Sequence, residues 1–113
     1  SLVRVPLPPQ NLTHAWYKLH AYLNISALAS DWSRERIIFE ITQAGFPCFS
    51  GSCSEIYLEA CFQRANLQPS SRLPVAAQLG MTSLMFLVHP TITQSQAEAY
   101  ALTVKKVLLA ATR

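Results

Sequence analysis

Five consecutive apolar residues, Leu84 to Val88, lie between Gly80 and Pro90. A run this short, apolar on both faces and containing Phe and Val, predicts a strand over 82–89. Such a strand is covered on both sides and lies in the middle of its sheet; a short buried helix fits the same run. Residues 14–23 alternate, with Ala15, Tyr17, Leu19, Ala21 and Leu23 set against Trp16, Lys18, His20 and Tyr22. Period two over this length predicts a strand with its first set on a core. The second set mixes aromatic rings with Lys and His. It reads either as a half-buried interface or cleft wall, or as a solvated face.

Steps of three and four residues mark two helices. Ile37, Ile38, Ile41 and Ala44 make the inward stripe of a helix over 34–44, capped by Ser33 or Asp31 and ended at Gly45. Ala97, Tyr100, Ala101, Val104, Val107 or Leu108, and Ala111 form the stripe of a helix that Thr93 and Gln96 open as a capping box. Lys105, Lys106 and Arg113 fall late in it, where the helix dipole favours cations. Between these helices, residues 46–50 predict a short strand, with Pro47 favouring an edge or a strand start. Ser52 and Glu55 have capping-box spacing for a helix to about Phe62. Pro74 suits the first position of a short helix that Gly80 closes. Residues 1–13, with Pro6, Pro8 and Pro9, exclude a helix and predict an extended connector. The order of elements predicts an α/β (α+β) two-layer sandwich, a small three-stranded sheet with helices mainly on one face.

Composition narrows the partners. Half of the 113 residues are hydrophobic and 13% are charged, against about 25% charged in ordinary soluble domains. One domain with a real core is expected, with apolar surface left for another domain or subunit. No apolar run approaches the roughly 18–20 residues of a membrane span. The net charge of +3 is spread without a basic block, so neither membrane nor nucleic acid is expected as a partner. Cys48, Cys53 and Cys61 form no CxxC pair and have no His at finger-like spacing. Free thiols in a cytoplasmic protein and no metal site are therefore expected. His14, His20 and His89 are acid–base candidates, but none has an acidic partner within its motif. Nucleophile elbows, Gly-rich phosphate loops and paired glycosidase carboxylates are absent, so no catalytic residue is assigned. The Gly-Ser loop at 50–55 could offer N–H groups to a phosphate or carboxylate, although a capping box explains the same residues. The chain opens at Ser1 without Met or a signal peptide, and reads as cut from something longer.

Four segments stand in the order and spacing of one family. They are His14-Ala15-Trp16-Tyr17, Gly45-Phe46-Pro47-Cys48, Arg72-Leu73-Pro74-Val75-Ala76, and Leu87-Val88-His89-Pro90-Thr91-Ile92-Thr93. On these residues the chain resembles, over essentially its whole length, the C-terminal small domain of DegT/StrS-type sugar aminotransferases. Those are pyridoxal-phosphate enzymes of fold type I. The resemblance implies that residues 1–13 connect from a missing N-terminal large domain and that 14–113 are the small domain. It implies a cytoplasmic, homodimeric parent that binds pyridoxal phosphate through a large-domain lysine and moves an amino group from glutamate to a keto-sugar nucleotide. The small domain closes one side of the cleft. Lys18, Lys105 and Lys106 match no cofactor lysine, so the fragment is expected to bind no cofactor and to be inactive alone. The implied substrate-facing residues are Phe49, Ser50, Gly51 and Ser52, with Tyr57 reaching the cleft and His14 on the hinge side. Many members carry an aromatic–histidine pair where this chain has Ser-Gly-Ser, which leaves small hydroxyls and backbone N–H groups there. The alternative is a free-standing α/β binding or interaction module that uses the Trp16/Lys18/His20/Tyr22 face.

Overall fold

Leu84 is fully enclosed at the centre of the sheet, in strand β4 (Ser83–Leu87). The computed structural model describes all 113 residues. On one side of β4 lies β2 (Lys18–Leu23), antiparallel, with Leu19 opposite Phe86 and Ala21 opposite Leu84. On the other lies the edge strand β3 (Cys48–Phe49), also antiparallel, with Cys48 opposite Phe86. A fourth strand, β1 (Val3–Arg4), pairs with the far side of β2, Val3 opposite Leu23. The order is β1-β2-β4-β3. The α+β class is as expected, while the sheet has four strands where three are predicted. The difference lies in the Pro-rich start: the segment is extended, and its two residues before Val5 and Pro6 find a ladder partner in Tyr22 and Leu23.

Period two puts Val3, Leu19, Ala21, Leu23, Cys48, Leu84 and Phe86 on one face. Helices α1 (Arg34–Gln43) and α4 (Gln94–Ala110) contribute to the core on that face, with Ile37 and Ile41 fully enclosed beside Leu84. The Ser33 hydroxyl accepts the Arg36 N–H to cap α1, and Gly45 at φ +91° takes the chain out of it. Ala44 is exposed at the C-cap, so the inward stripe stops at Ile41. Thr93 and Gln96 form the predicted reciprocal box at the start of α4. No helix is long and apolar enough to cross a membrane.

Four expectations about single elements need correction. Alternation fails before Lys18: Trp16 has φ +52°, its N–H is taken by His14 Nδ1 at 2.8 Å, and Tyr17 is 82% exposed instead of core-facing. Ser52 and Glu55 form no capping box. The Glu55 carboxylate is held by Arg72, and residues Ile56–Leu58 make a 3-10 turn before the short helix α2 (Ala60–Arg64). Nor does Gly80 stop a helix. Helix α3 (Pro74–Thr82) runs through it and hands over directly to β4. Gly80 is small for a different reason: Ser54 packs so closely against it that a Cβ would collide. The predicted strand over 82–89 also ends early, because the pairing with β2 runs out at Lys18 opposite Leu87.

Candidate functional site

The edge strand β3 delivers residues 50–52 onto the second face of the sheet. The buried Ser83 hydroxyl donates to the Ser50 carbonyl. Gly51 has φ +97°, a conformation that glycine adopts without steric cost. A Cβ there would meet Ser83 Oγ at 3.2 Å and His20 Cε1 at 3.6 Å. The loop is thus pinned beside the face that carries Lys18, His20 and Tyr22, all three half-buried as one of the two readings of that face requires.

Next to this loop lies a polar hollow of about 410 Å³, bordered by Ser50, Ser52, Ser54 and Glu55 on one side and by Arg34, Gly80 and Met81 on the other. Its charged groups are already committed. Arg34 donates to the Gly80 carbonyl and pairs with Glu35 at 2.8 Å. Arg72 grips both oxygens of Glu55, each at 2.7 Å, and the Tyr57 hydroxyl donates to Glu55 at 2.6 Å. The Tyr57 oxygen accepts the Leu73 N–H at 3.0 Å, which ties the loop to the start of α3. The Arg72 guanidinium, and after it the Tyr57 hydroxyl, hold Glu55 at about 2. Burial, and after it the Glu55 carboxylate, push the Tyr57 hydroxyl up. The Cys53 thiol donates to Glu59 and is pushed up by that bond. With its acids paired, the hollow offers hydroxyls and backbone groups for hydrogen bonding rather than a free acid or base for proton transfer.

Phe49, Ser50, Gly51 and Ser52 form a short ledge, exposed except at the half-buried Gly51, with Phe49 45% exposed on the edge strand. Tyr57 is buried and its hydroxyl belongs to the Glu55 clasp. His14 is exposed, its ring lies 4.4 Å from the Trp16 ring and tilted 38° to it, and it borders neither the polar hollow nor the apolar groove described below. His20, Ser83, Arg34 and Arg72 join the site without having been singled out for it. Alternation along 14–23 already puts His20 on the right face, and Arg72 stands in the Arg-Leu-Pro segment. Only the tertiary pairing reveals what they touch.

No group of three or more His, Cys, Asp or Glu gathers where a metal could sit. The three cysteines are unpaired, and burial pushes the Cys48 thiol up to about 11. The chain's residues do not fit pyridoxal phosphate, which needs an amine beside an anion cradle. None of the three lysines borders the polar hollow: Lys18 lies against the Tyr17 ring, Lys106 is exposed, and Lys105 borders the apolar groove between α4 and the sheet.

The class this defines is a small α+β domain, an antiparallel sheet backed by helices with a polar ledge at its edge. No family model matches the chain, and no curated protein does. Solved structures do match. Over 88% of its length the chain is 52% identical to the aminotransferase from Psychrobacter cryohalolentis, with a TM-score of 0.82, and it covers 25% of that chain. Two further matches are likenesses of fold. The aminotransferase TlmJ from Streptoalloteichus hindustanus has a TM-score of 0.74 at 18% identity, over 96% of this chain and 27% of that one. A DegT DnrJ EryC1 StrS aminotransferase from Brucella abortus has 0.72 at 16% identity, over 93% and 26%. The chain therefore spans about a quarter of the length of the aminotransferases it matches. It is homologous to part of an aminotransferase and shares its fold with part of a DegT DnrJ EryC1 StrS aminotransferase, in line with the resemblance carried by its four segments.

Proposed function

We propose that these residues serve as the small domain of a pyridoxal-phosphate-dependent sugar aminotransferase, closing one side of its active-site cleft. Residues 1–13 are the connector and 14–113 the domain. The parent is a cytoplasmic homodimer whose large domain supplies the cofactor lysine, and its reaction moves an amino group from glutamate to a keto-sugar nucleotide. The observation that carries this reading is the 52% identity across 88% of the chain, combined with coverage of only 25% of the matched aminotransferase. The cofactor performs the bond chemistry in such enzymes, and the protein supplies orientation and exclusion of water. That division suits a domain whose hollow holds hydroxyls and paired charges. Phe49, Ser50, Gly51 and Ser52 are the residues that would face the sugar, with Tyr57 holding the loop and His14 on the hinge side.

The test begins with the reading frame upstream of Ser1, where about 250 residues with a pyridoxal-lysine segment are expected, an ordinary size for the missing domain. The purified full-length protein should transaminate a keto-sugar nucleotide with glutamate, and borohydride should trap the cofactor on a lysine outside these 113 residues. Within that enzyme, Ser50→Leu should cut kcat/KM tenfold or more, about 1.4 kcal/mol, with little change in melting; Ser50→Ala should be mild. A reducible adduct on Lys18, Lys105 or Lys106, or an independent start codon near Ser1, sinks the proposal. Normal turnover by Ser50→Leu removes the ledge from it.

A further inference from the structure

The longest helix, α4, has 17 residues and none of them is buried. Tyr100, Val104, Val107 and Leu108 pack against the core and remain half-covered. Along the flank of α4 runs an apolar groove of about 690 Å³, with Leu19, Ala21 and Phe86 of the sheet on its floor and Leu2, Val3 and Val5 at its lip. The long wall is α4 itself, through Ala97, Ala101, Val104, Leu108 and, just past its end, Thr112. These positions recur at steps of three and four, the seam along which one helix packs on another. At 1.5 Å per residue the seam is about 22 Å long. A compact ligand fills a fraction of such a trench, whereas a helix of about four turns fills its length. Ala97 and Ala101 are small and exposed, which lets a second backbone come close. The one lysine in the wall, Lys105, has no ion-pair partner.

We propose that this groove seats an amphipathic helix of about four turns from the part of the aminotransferase polypeptide that lies outside these residues. Its apolar seam lies on α4 and an acidic side chain answers Lys105. This rests on the reading of the chain as one domain of a larger enzyme, since the matched aminotransferase has three quarters of its length beyond the matched part. A second copy of this chain fits less well. The seam from Ala97 to Thr112 is centred between Val104 and Lys105, so an antiparallel two-fold pairing brings two Lys105 ammoniums together. Glu98, the only acid on the helix, lies two turns away from Lys105 and cannot answer either one.

Ala97→Glu and Ala101→Glu put a carboxylate into the wall at positions exposed in this chain, so the 113-residue chain should keep its circular dichroism and its Tm. The chain alone should bind the apolar dye anilinonaphthalene sulfonate, with Ala101→Glu reducing the signal at least threefold. The full-length enzyme should bind little dye in its native form, and Ala97→Glu or Ala101→Glu should lower its Tm by 5 °C or more and expose the domain junction to limited proteolysis. An active full-length transaminase in which both variants melt and resist protease like wild type overturns the helix proposal and leaves the functional reading standing. A chain that sediments as a dimer, dispersed by Ala101→Glu, assigns the groove to a second copy instead. Absence of a transaminating parent removes both readings together.

Discussion

Gly51→Ala tests how the ledge is held. The residue sits at φ +97°, where an L side chain is strained by about 1–2 kcal/mol. The new Cβ also stands 3.2 Å from Ser83 Oγ. That hydroxyl must give way by a few tenths of an ångström, weakening its bond to the Ser50 carbonyl, which is worth about 1 kcal/mol. Alanine restricts the unfolded chain more than glycine does, returning about 0.4–1 kcal/mol. The net destabilisation is therefore about 1–2.5 kcal/mol from these principles. Urea unfolding of the 113-residue chain measures it directly, and a thermal melt should drop by about 4–8 °C per kcal/mol. The two components separate in a double-mutant cycle with Ser83→Ala, which removes the clash and the hydrogen bond together. In that background Gly51→Ala should retain its backbone cost and lose about 0.5–1 kcal/mol of coupling. A Gly51→Ala variant within about 0.3 kcal/mol of wild type, well under the typical single-mutant effect, refutes the left-handed loop over His20 and Ser83.

Ile41→Ala empties a fully enclosed site and should cost about 2–5 kcal/mol, while Phe39→Ala on the exposed side of the same helix, 59% accessible, should stay within about 0.5 kcal/mol. Glu55 is ordinarily near 4.5 and is held at about 2 in the fold, so its stabilising effect is complete above 4.5 and is lost as pH falls from there toward 2. Glu55→Gln should flatten the urea midpoint across that window, and an unchanged acid slope would remove the clasp from the account. Without reductant, Cys53 and Cys61 should react with Ellman's reagent in the native chain and Cys48 only after unfolding, since it is buried with its thiol near 11. Two thiols missing after denaturation would mean a disulfide.

The elements readable from the sequence are those whose partners are local. Ser33 meets Arg36 and Thr93 meets Gln96 within one turn, and Ile37 and Ile41 repeat on one face, so α1 and α4 stand where the pattern predicts them. Leu84 marks the central strand because a strand covered on both faces needs no polar alternation. The misread positions are settled by distant groups. Glu55 has the spacing of a cap but finds a stronger, charge-assisted partner in Arg72, 17 residues on. Gly80 resembles a stop, yet its small size serves the approach of Ser54. β1 is two residues in a Pro-rich segment and is a strand only because β2 has a free edge. The ledge at 49–52 follows only from the family resemblance; its contacts with His20 and Ser83 depend on a register that no local spacing encodes.

The sheet order also governs how the chain reaches its fold. The longest ladder joins β2 to β4, with Tyr22 opposite Ser83 and Lys18 opposite Leu87, so the two central strands come from opposite ends of the domain. Closing so wide a loop costs entropy before any of the ladder's contacts form, which slows folding relative to a domain built on local contacts. During synthesis, β2 emerges long before its principal partner. Its apolar residues and open backbone edges then invite wrong pairings, the usual route to aggregation of incomplete chains. A chain truncated before residue 83 keeps α1 with its local cap but loses the strand that joins β2 to β3. The capacity to fold therefore resides in the last third of the sequence, and a nascent chain needs shielding until that part is made.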